Sequence, residues 1–106
     1  MSLPSLTDQE RAEALQKAAA ARTVRSRIKA ELKSGMVSVA AVIAAAGEEP
    51  ALGRLKVTDL LEALPGIGKV RATVIMSELG ISPSRRVRGL GVHQRRALVD
   101  YLGQVL

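Results

Sequence analysis

An all-helical protein is predicted from three observations. No segment alternates apolar and polar residues with period two for long, apolar residues recur at helical spacing, and glycine or proline punctuates the chain at intervals suited to short helices. A chain of 106 residues fits one domain with a modest core. Residues 1–36 are expected to form a long basic N-terminal helical arm, and residues 37–106 a helical body.

The arm opens at Thr7, which with Glu10 three residues on has the form of a capping box; acidic Asp8 and Glu10 suit a first turn. From there to Lys33 nothing breaks the helix. Ala21, Val24, Ile28 and Leu32 fall on one stripe, and Arg22, Arg25, Lys29 and Lys33 on a second, rotated by about 100°. Such a helix docks by its apolar seam and presents a basic rail at the edge. Gly35 ends it. Ser38 is the expected cap of a short Ala/Val/Ile helix that ends at Gly47. Glu48-Glu49-Pro50 begins another short helical turn that stops at Gly53. The acidic pair complements a helix dipole and lacks the further ligands of a metal site.

Thr58 is the expected cap of a helix carrying Leu60, Leu61 and Leu64, which Pro65 stops. Val70, Val74, Ile75 and Leu79 give the next helix its apolar side, closed by Gly80. Ile81-Ser82-Pro83-Ser84 reads as a loop, because the residue before a proline avoids the helical region. A last helix after Gly91 buries Leu98 and Leu102 and frays near Gly103.

Composition narrows the function classes. Lysine plus arginine number 16 against 10 acidic residues, a net charge of +6 that favours a polyanionic partner. There is no cysteine and a single histidine, His93, so disulfides, thiolate metal sites and a zinc site are not expected, nor any cofactor. Tyr101 is the only aromatic residue, which disfavours single-strand binding by base stacking. No secretory signal is visible, and the apolar run Met36 to Ala46 is too short to span a bilayer. The expectation is a soluble, cytoplasmic protein.

The chemistry concentrates between residues 64 and 91. Leu64-Pro65-Gly66-Ile67-Gly68-Lys69-Val70-Arg71-Ala72 has the helix-hairpin-helix spacing: glycines for a tight turn, Ile67 as a plug between helices, Ala72 for their close approach. A helix N-terminus offers unpaired amides and the positive end of a dipole, which suits a phosphate, and Lys69 and Arg71 add charge there. Gly89-Leu90-Gly91 repeats the Gly66-Ile67-Gly68 pattern 23 residues on, suggesting a helix-two-turns-helix module. Arg85, Arg86 and Arg88 crowd the loop before it, where their mutual repulsion calls for an anion or a fixed acid.

Taken together, Leu6-Thr7-Asp8, the alanine-rich basic helix, Lys56-Val57-Thr58, Leu60-Leu61-Glu62-Ala63-Leu64-Pro65 and Arg85-Arg86-Val87-Arg88-Gly89-Leu90-Gly91 resemble the actinobacterial integration host factor family over nearly the whole chain. The resemblance implies an all-helical, monomeric, nucleoid-associated protein that binds duplex DNA largely without sequence preference. It also implies bending, effects on supercoiling and assistance to phage integrase. Carried over by position, Pro65, Gly66, Gly68 and Lys69 are the DNA-contacting turn and Arg85, Arg86 and Arg88 the basic cluster, with Arg71, Gly89 and Gly91 beside them. The family's leading helix falls on residues 7 to 34, where the resemblance implies Arg22, Arg25, Lys29 and Lys33 as a candidate second DNA surface, the alternative being a helix that only packs on the body.

Two other readings share parts of the pattern. Gly66-Ile67-Gly68, Ala72, Ile75, Leu79-Gly80-Ile81, Pro83, Arg86-Val87, Leu90, Gln94 and Leu98 are similar to small-subunit ribosomal protein thirteen, an RNA binder whose long basic tail has no counterpart before Leu106. Helix-hairpin-helix glycosylases and lyases are similar only at the Leu-Pro-Gly-Ile-Gly turn. Neither Glu78 nor Asp100 convincingly supplies their catalytic carboxylate, so an enzyme is not expected.

Overall fold

The computed structural model describes residues 7 to 105, with six α-helices, one 3₁₀ turn and no strand among them. Helix α1, Asp8–Ser34, is the longest. The Thr7 hydroxyl oxygen accepts from the Glu10 amide at 3.1 Å, the expected cap, and donates to the Glu10 carboxylate at 3.1 Å. At the other end Gly35 (φ 80°) closes a Schellman motif: its amide donates to the Leu32 carbonyl and that of Met36 to the Glu31 carbonyl. Residues 8 to 20 are exposed all round, and burial begins only at Ala21. The predicted stripe of Ala21, Val24 and Ile28 is half-buried, and Leu32 is fully in the core. The body thus begins inside α1, whose projecting end accounts for the 53 × 32 × 25 Å extents.

Helix α2, Val39–Ala45, is capped by Ser38, whose Oγ accepts from the Ala41 amide at 3.1 Å. Helix α3, Pro50–Gly53, starts on a proline that needs no amide partner there. It packs so closely that a Cβ on Gly53 would lie 3.2 Å from the Ala46 carbonyl and 3.3 Å from the Arg88 Cβ. Helix α4, Val57–Glu62, corrects an expectation: its cap is Lys56, without a side-chain bond, and Thr58 lies inside the helix. A distant segment instead satisfies the amide at the start of the helix. The Val57 amide donates to the Arg85 carbonyl at 3.0 Å and the Val87 amide to the Leu55 carbonyl at 2.9 Å, an isolated antiparallel bridge between Lys56 and Arg86.

Helix α5, Lys69–Glu78, buries Ala72, Ile75 and Met76. The predicted apolar side is only half right. Ile75 is buried and Leu79 partly so, but Val70 is 79% and Val74 48% exposed. Ile67 sits in the core, so the turn delivers Ala72 rather than Val70 to the packed face. The 3₁₀ turn, Val87–Gly89, leads to helix α6, Val92–Val105, which buries Leu98 and Leu102 and runs through Gly103 rather than stopping at it. Leu55, Leu60, Leu61, Ile75 and Leu98 lie at the centre of one apolar core, with α4 against α5 as its main contact. No charged or polar side chain is buried in it among the described residues.

Candidate nucleic-acid interface

The first turn, between α4 and α5, divides its tasks between two glycines. Gly66 has φ 77°, a left-handed backbone that favours glycine. Gly68 does not: it is the N-cap of α5 at φ −92°, ψ −175°, extended backbone open to any residue. A Cβ built there would meet nothing within 4 Å. Nothing in the protein itself therefore requires a glycine at 68. Its effect is to leave the first-turn amides of α5 without a side-chain cap and without cover. Lys69 and Arg71 are both exposed beside them, as is Pro65 ahead of the turn.

The second turn, before α6, is built differently. Gly91 precedes the helix, its carbonyl accepting from the Arg95 amide at 2.9 Å. Gln94 then acts as a strut: its Oε1 accepts from the Gly91 amide at 3.3 Å while its Nε2 donates to the Gly80 carbonyl at 3.1 Å. That pair of bonds ties the start of α6 to the end of α5. The two helix N-termini are therefore separated by roughly the length of α5, about 15 Å at 1.5 Å per residue. Gln94 carries none of the signals of charge or glycine spacing by which site residues are found in a sequence. Val92 (65% exposed) and Val70 place an aliphatic side chain in the first turn of each helix.

The arginine cluster lies between the turns. Arg85, Arg86, Arg88 and Gly89 line a shallow pocket with Ser82 and Ser84. Arg85 is half-buried and folds over its own turn, Nη1 donating to the Gly89 carbonyl at 3.2 Å and Nε left without a partner. A Cβ on Gly89 would lie 3.0 Å from the Arg85 Cδ, so the glycine makes room for that side chain. Arg86 Nη1 donates to the Arg54 carbonyl. These guanidiniums are thus steadied by carbonyl oxygens. Arg88 is exposed.

Of the rail on α1, Arg22, Arg25 and Lys29 face a groove of about 390 Å³ whose other wall carries Arg54, Lys56, Asp59 and Arg86. Arg86 lines both this groove and the pocket of the arginine cluster, making one continuous basic band. Lys33 stands apart from that groove. It lines a separate depression with Lys29, Asp59 and Glu62, where carboxylates offset its charge. Arg54 and Lys56 are contributors that the sequence did not single out, since they reach the α1 rail only through the packing of α1 on α3.

With this geometry in view the relatives can be placed. Residues 32–102 match the family model of the S13-like H2TH domain. An integration host factor of Mycobacterium tuberculosis is 52% identical over 103 residues, covering 97% of this chain and 98% of its own. The chain belongs to the integration host factor family. Another member, from Streptomyces coelicolor, is 54% identical over 103 residues, covering 97% of this chain and 96% of that protein. The solved structure of sIHF bound to an 8-bp palindromic DNA is 51% identical and superposes with a TM-score of 0.79 over 81% of this chain and 97% of that one. A guanylate kinase of Leifsonia xyli subsp. xyli also shares 50 residues at 44% identity, which are 47% of this chain and 20% of that enzyme. The family's two-turn module occupies the segment that holds both turns, the strut and the arginine cluster.

Proposed function

We propose that the chain is an architectural protein that binds duplex DNA through backbone phosphates. The observation that carries this is the open N-terminus of α5: a glycine required neither by its backbone angles nor by its neighbours, an uncapped first turn, and Lys69 beside it. Likeness to the DNA-bound sIHF structure supports the same reading. The binding residues are Pro65, Gly66, Gly68, Lys69 and Arg71 at the first turn, and Arg85, Arg86, Arg88, Gly89 and Gly91 at the second. Arg22, Arg25, Lys29 and Lys33 supply a second surface on α1. Phosphate contacts position a protein without reading bases, so sequence preference is weak. The exposed Val70 and Val92 lie against deoxyribose, where apolar contact is tolerated at every sequence.

Arm (residues 1–36) and body (residues 37–106) act together in this mechanism. Duplex held at the two turns continues along the basic band through Arg86 toward the α1 rail. Following that band curves the DNA, and supercoiling and assistance to an integrase follow from the curvature. The protein works as a monomer in the cytoplasm, on the nucleoid, without a cofactor and without catalysis. Likeness to a guanylate kinase brings no kinase chemistry with it, because the phosphate-cradling pattern G-x-x-x-x-G-K-[S/T] does not occur in these 106 residues. It does place a related segment in an enzyme that handles guanine nucleotides.

Affinity measured against salt for random duplex, defined duplex and structured RNA tests the proposal. With on the order of four to six phosphates neutralised, the log–log slope is expected at roughly −4 to −5. Both duplexes should bind alike and outcompete the RNA. A flat slope, or preference for RNA at equal salt, would reject it.

A further inference from the structure

The groove between α1 and the α3–α4 connection has features that a DNA backbone alone does not need. We propose that it is a binding site for a guanine nucleotide. Its volume of about 390 Å³ lies within the range of small-molecule sites. One wall bears Arg22, Arg25 and Lys29 on a single face of α1, and the other Arg86, whose guanidinium is already oriented by the Arg54 carbonyl. With Arg54 and Lys56 beside Arg86, six cations line the facing walls and suit a di- or triphosphate, which places its charges a few ångströms apart.

Two further features distinguish a nucleotide from a bare polyphosphate. Between the cationic walls part of the lining is small and apolar, with Ala18 and Ala21 on α1 and Leu55 at the base. Asp59 is the one carboxylate in the groove, half-buried among cations. It also complements the first turn of α4, but toward phosphates alone it would be repulsive. Opposite a purine it discriminates: guanine presents two adjacent N–H donors, at N1 and the N2 amino group, to a bidentate carboxylate. Adenine presents a bare N1 acceptor on the same edge. The site itself does not depend on the DNA-binding reading, and its test contains no DNA.

The test is isothermal titration of the full chain with GDP, ADP and inorganic tripolyphosphate at one ionic strength, for the wild type, Asp59→Asn and Arg25→Ala. GDP is expected to bind one per chain and about tenfold more tightly than ADP, the discrimination of one bidentate pair. Asp59→Asn should erase that preference and leave tripolyphosphate binding equal or stronger, while Arg25→Ala should weaken all three ligands. In parallel, GDP should shift the backbone amide resonances of Ala18 and Ala21, which requires no variant to fold. Equal binding of GDP and ADP to the wild type overturns the proposal, as does a preference that survives Asp59→Asn. So does an absence of GDP binding, or resonance shifts confined to the two turns.

Discussion

Substituting Gly68 by serine should make the protein more stable and worse at binding DNA. Gly68 caps α5 at φ −92°, ψ −175°, and Ser38 caps α2 at φ −94°, ψ 159°, where its Oγ accepts from the amide three residues on at 3.1 Å. A serine at 68 has the same backbone and open space for its side chain, so its Oγ should accept from the Arg71 amide in the same way. The cap contributes a few tenths of a kcal/mol over glycine, and the stiffer unfolded chain about 0.4–1 kcal/mol more. Together that is about 1 kcal/mol, or a rise of about 4–8 °C in Tm for a domain of this size. The same Oγ occupies the amides that a phosphate would use. Loss of a hydrogen bond to a charged group costs about 1.5–3 kcal/mol, so DNA affinity should fall by about ten- to 150-fold. Thermal unfolding by circular dichroism and fluorescence anisotropy on one labelled duplex read the two effects separately. A stabilised Gly68→Ser that binds DNA as tightly as wild type would refute the reasoning; so would a destabilised one, since the space was then not open. Gly66→Ala is the contrast, because φ 77° should cost it about 1–2 kcal/mol of stability.

Arg88→Ala should weaken binding to all duplexes alike and reduce the log–log salt slope by about one, measured by anisotropy at several salt concentrations. A change in sequence preference instead would mean base contact. Neutralising Arg22, Arg25 and Lys29 together should reduce DNA bending, read by end-to-end energy transfer, more than it reduces simple binding; equal loss of both would mean one indivisible site. Leu61→Ala empties part of a fully buried position and should cost about 2–5 kcal/mol in denaturant unfolding. Gln94→Ala should leave the first turn intact while releasing the start of α6 from Gly80. Hydrogen exchange at Val92 to Gln94 should then quicken without matching change at Lys69 to Arg71.

Local chemistry made much of this fold legible. Thr7, Ser38 and Gly35 act within three or four residues of themselves, and each does what its type suggests. The first turn was equally readable, since Ile67 and Ala72 must be buried for that spacing to close. Misreadings arise where a distant segment decides. Thr58 looked like a cap because nothing nearby hints that the Arg85 carbonyl will receive the Val57 amide. On α5, both Val70 with Val74 and Ile75 with Leu79 have the four-residue spacing of a buried stripe. Only the turn's geometry determines which pair faces α4. Among the site residues, the arginine cluster stood out by charge density, whereas Arg54 and Lys56 became part of a basic groove only when α1 folded over them.

The solvent-bathed stretch of α1 from residue 8 to 20 has a thermodynamic corollary. With no buried side chain among its described residues, its helicity rests on alanine content, the Thr7 cap and hydrogen bonds along its own backbone. Heating should therefore unwind it gradually from its free end, well before the core gives way. A melting curve at 222 nm should slope steadily downward ahead of one sharp sigmoid, and removing residues 1–17 should flatten that slope while leaving the sigmoid's midpoint where it was.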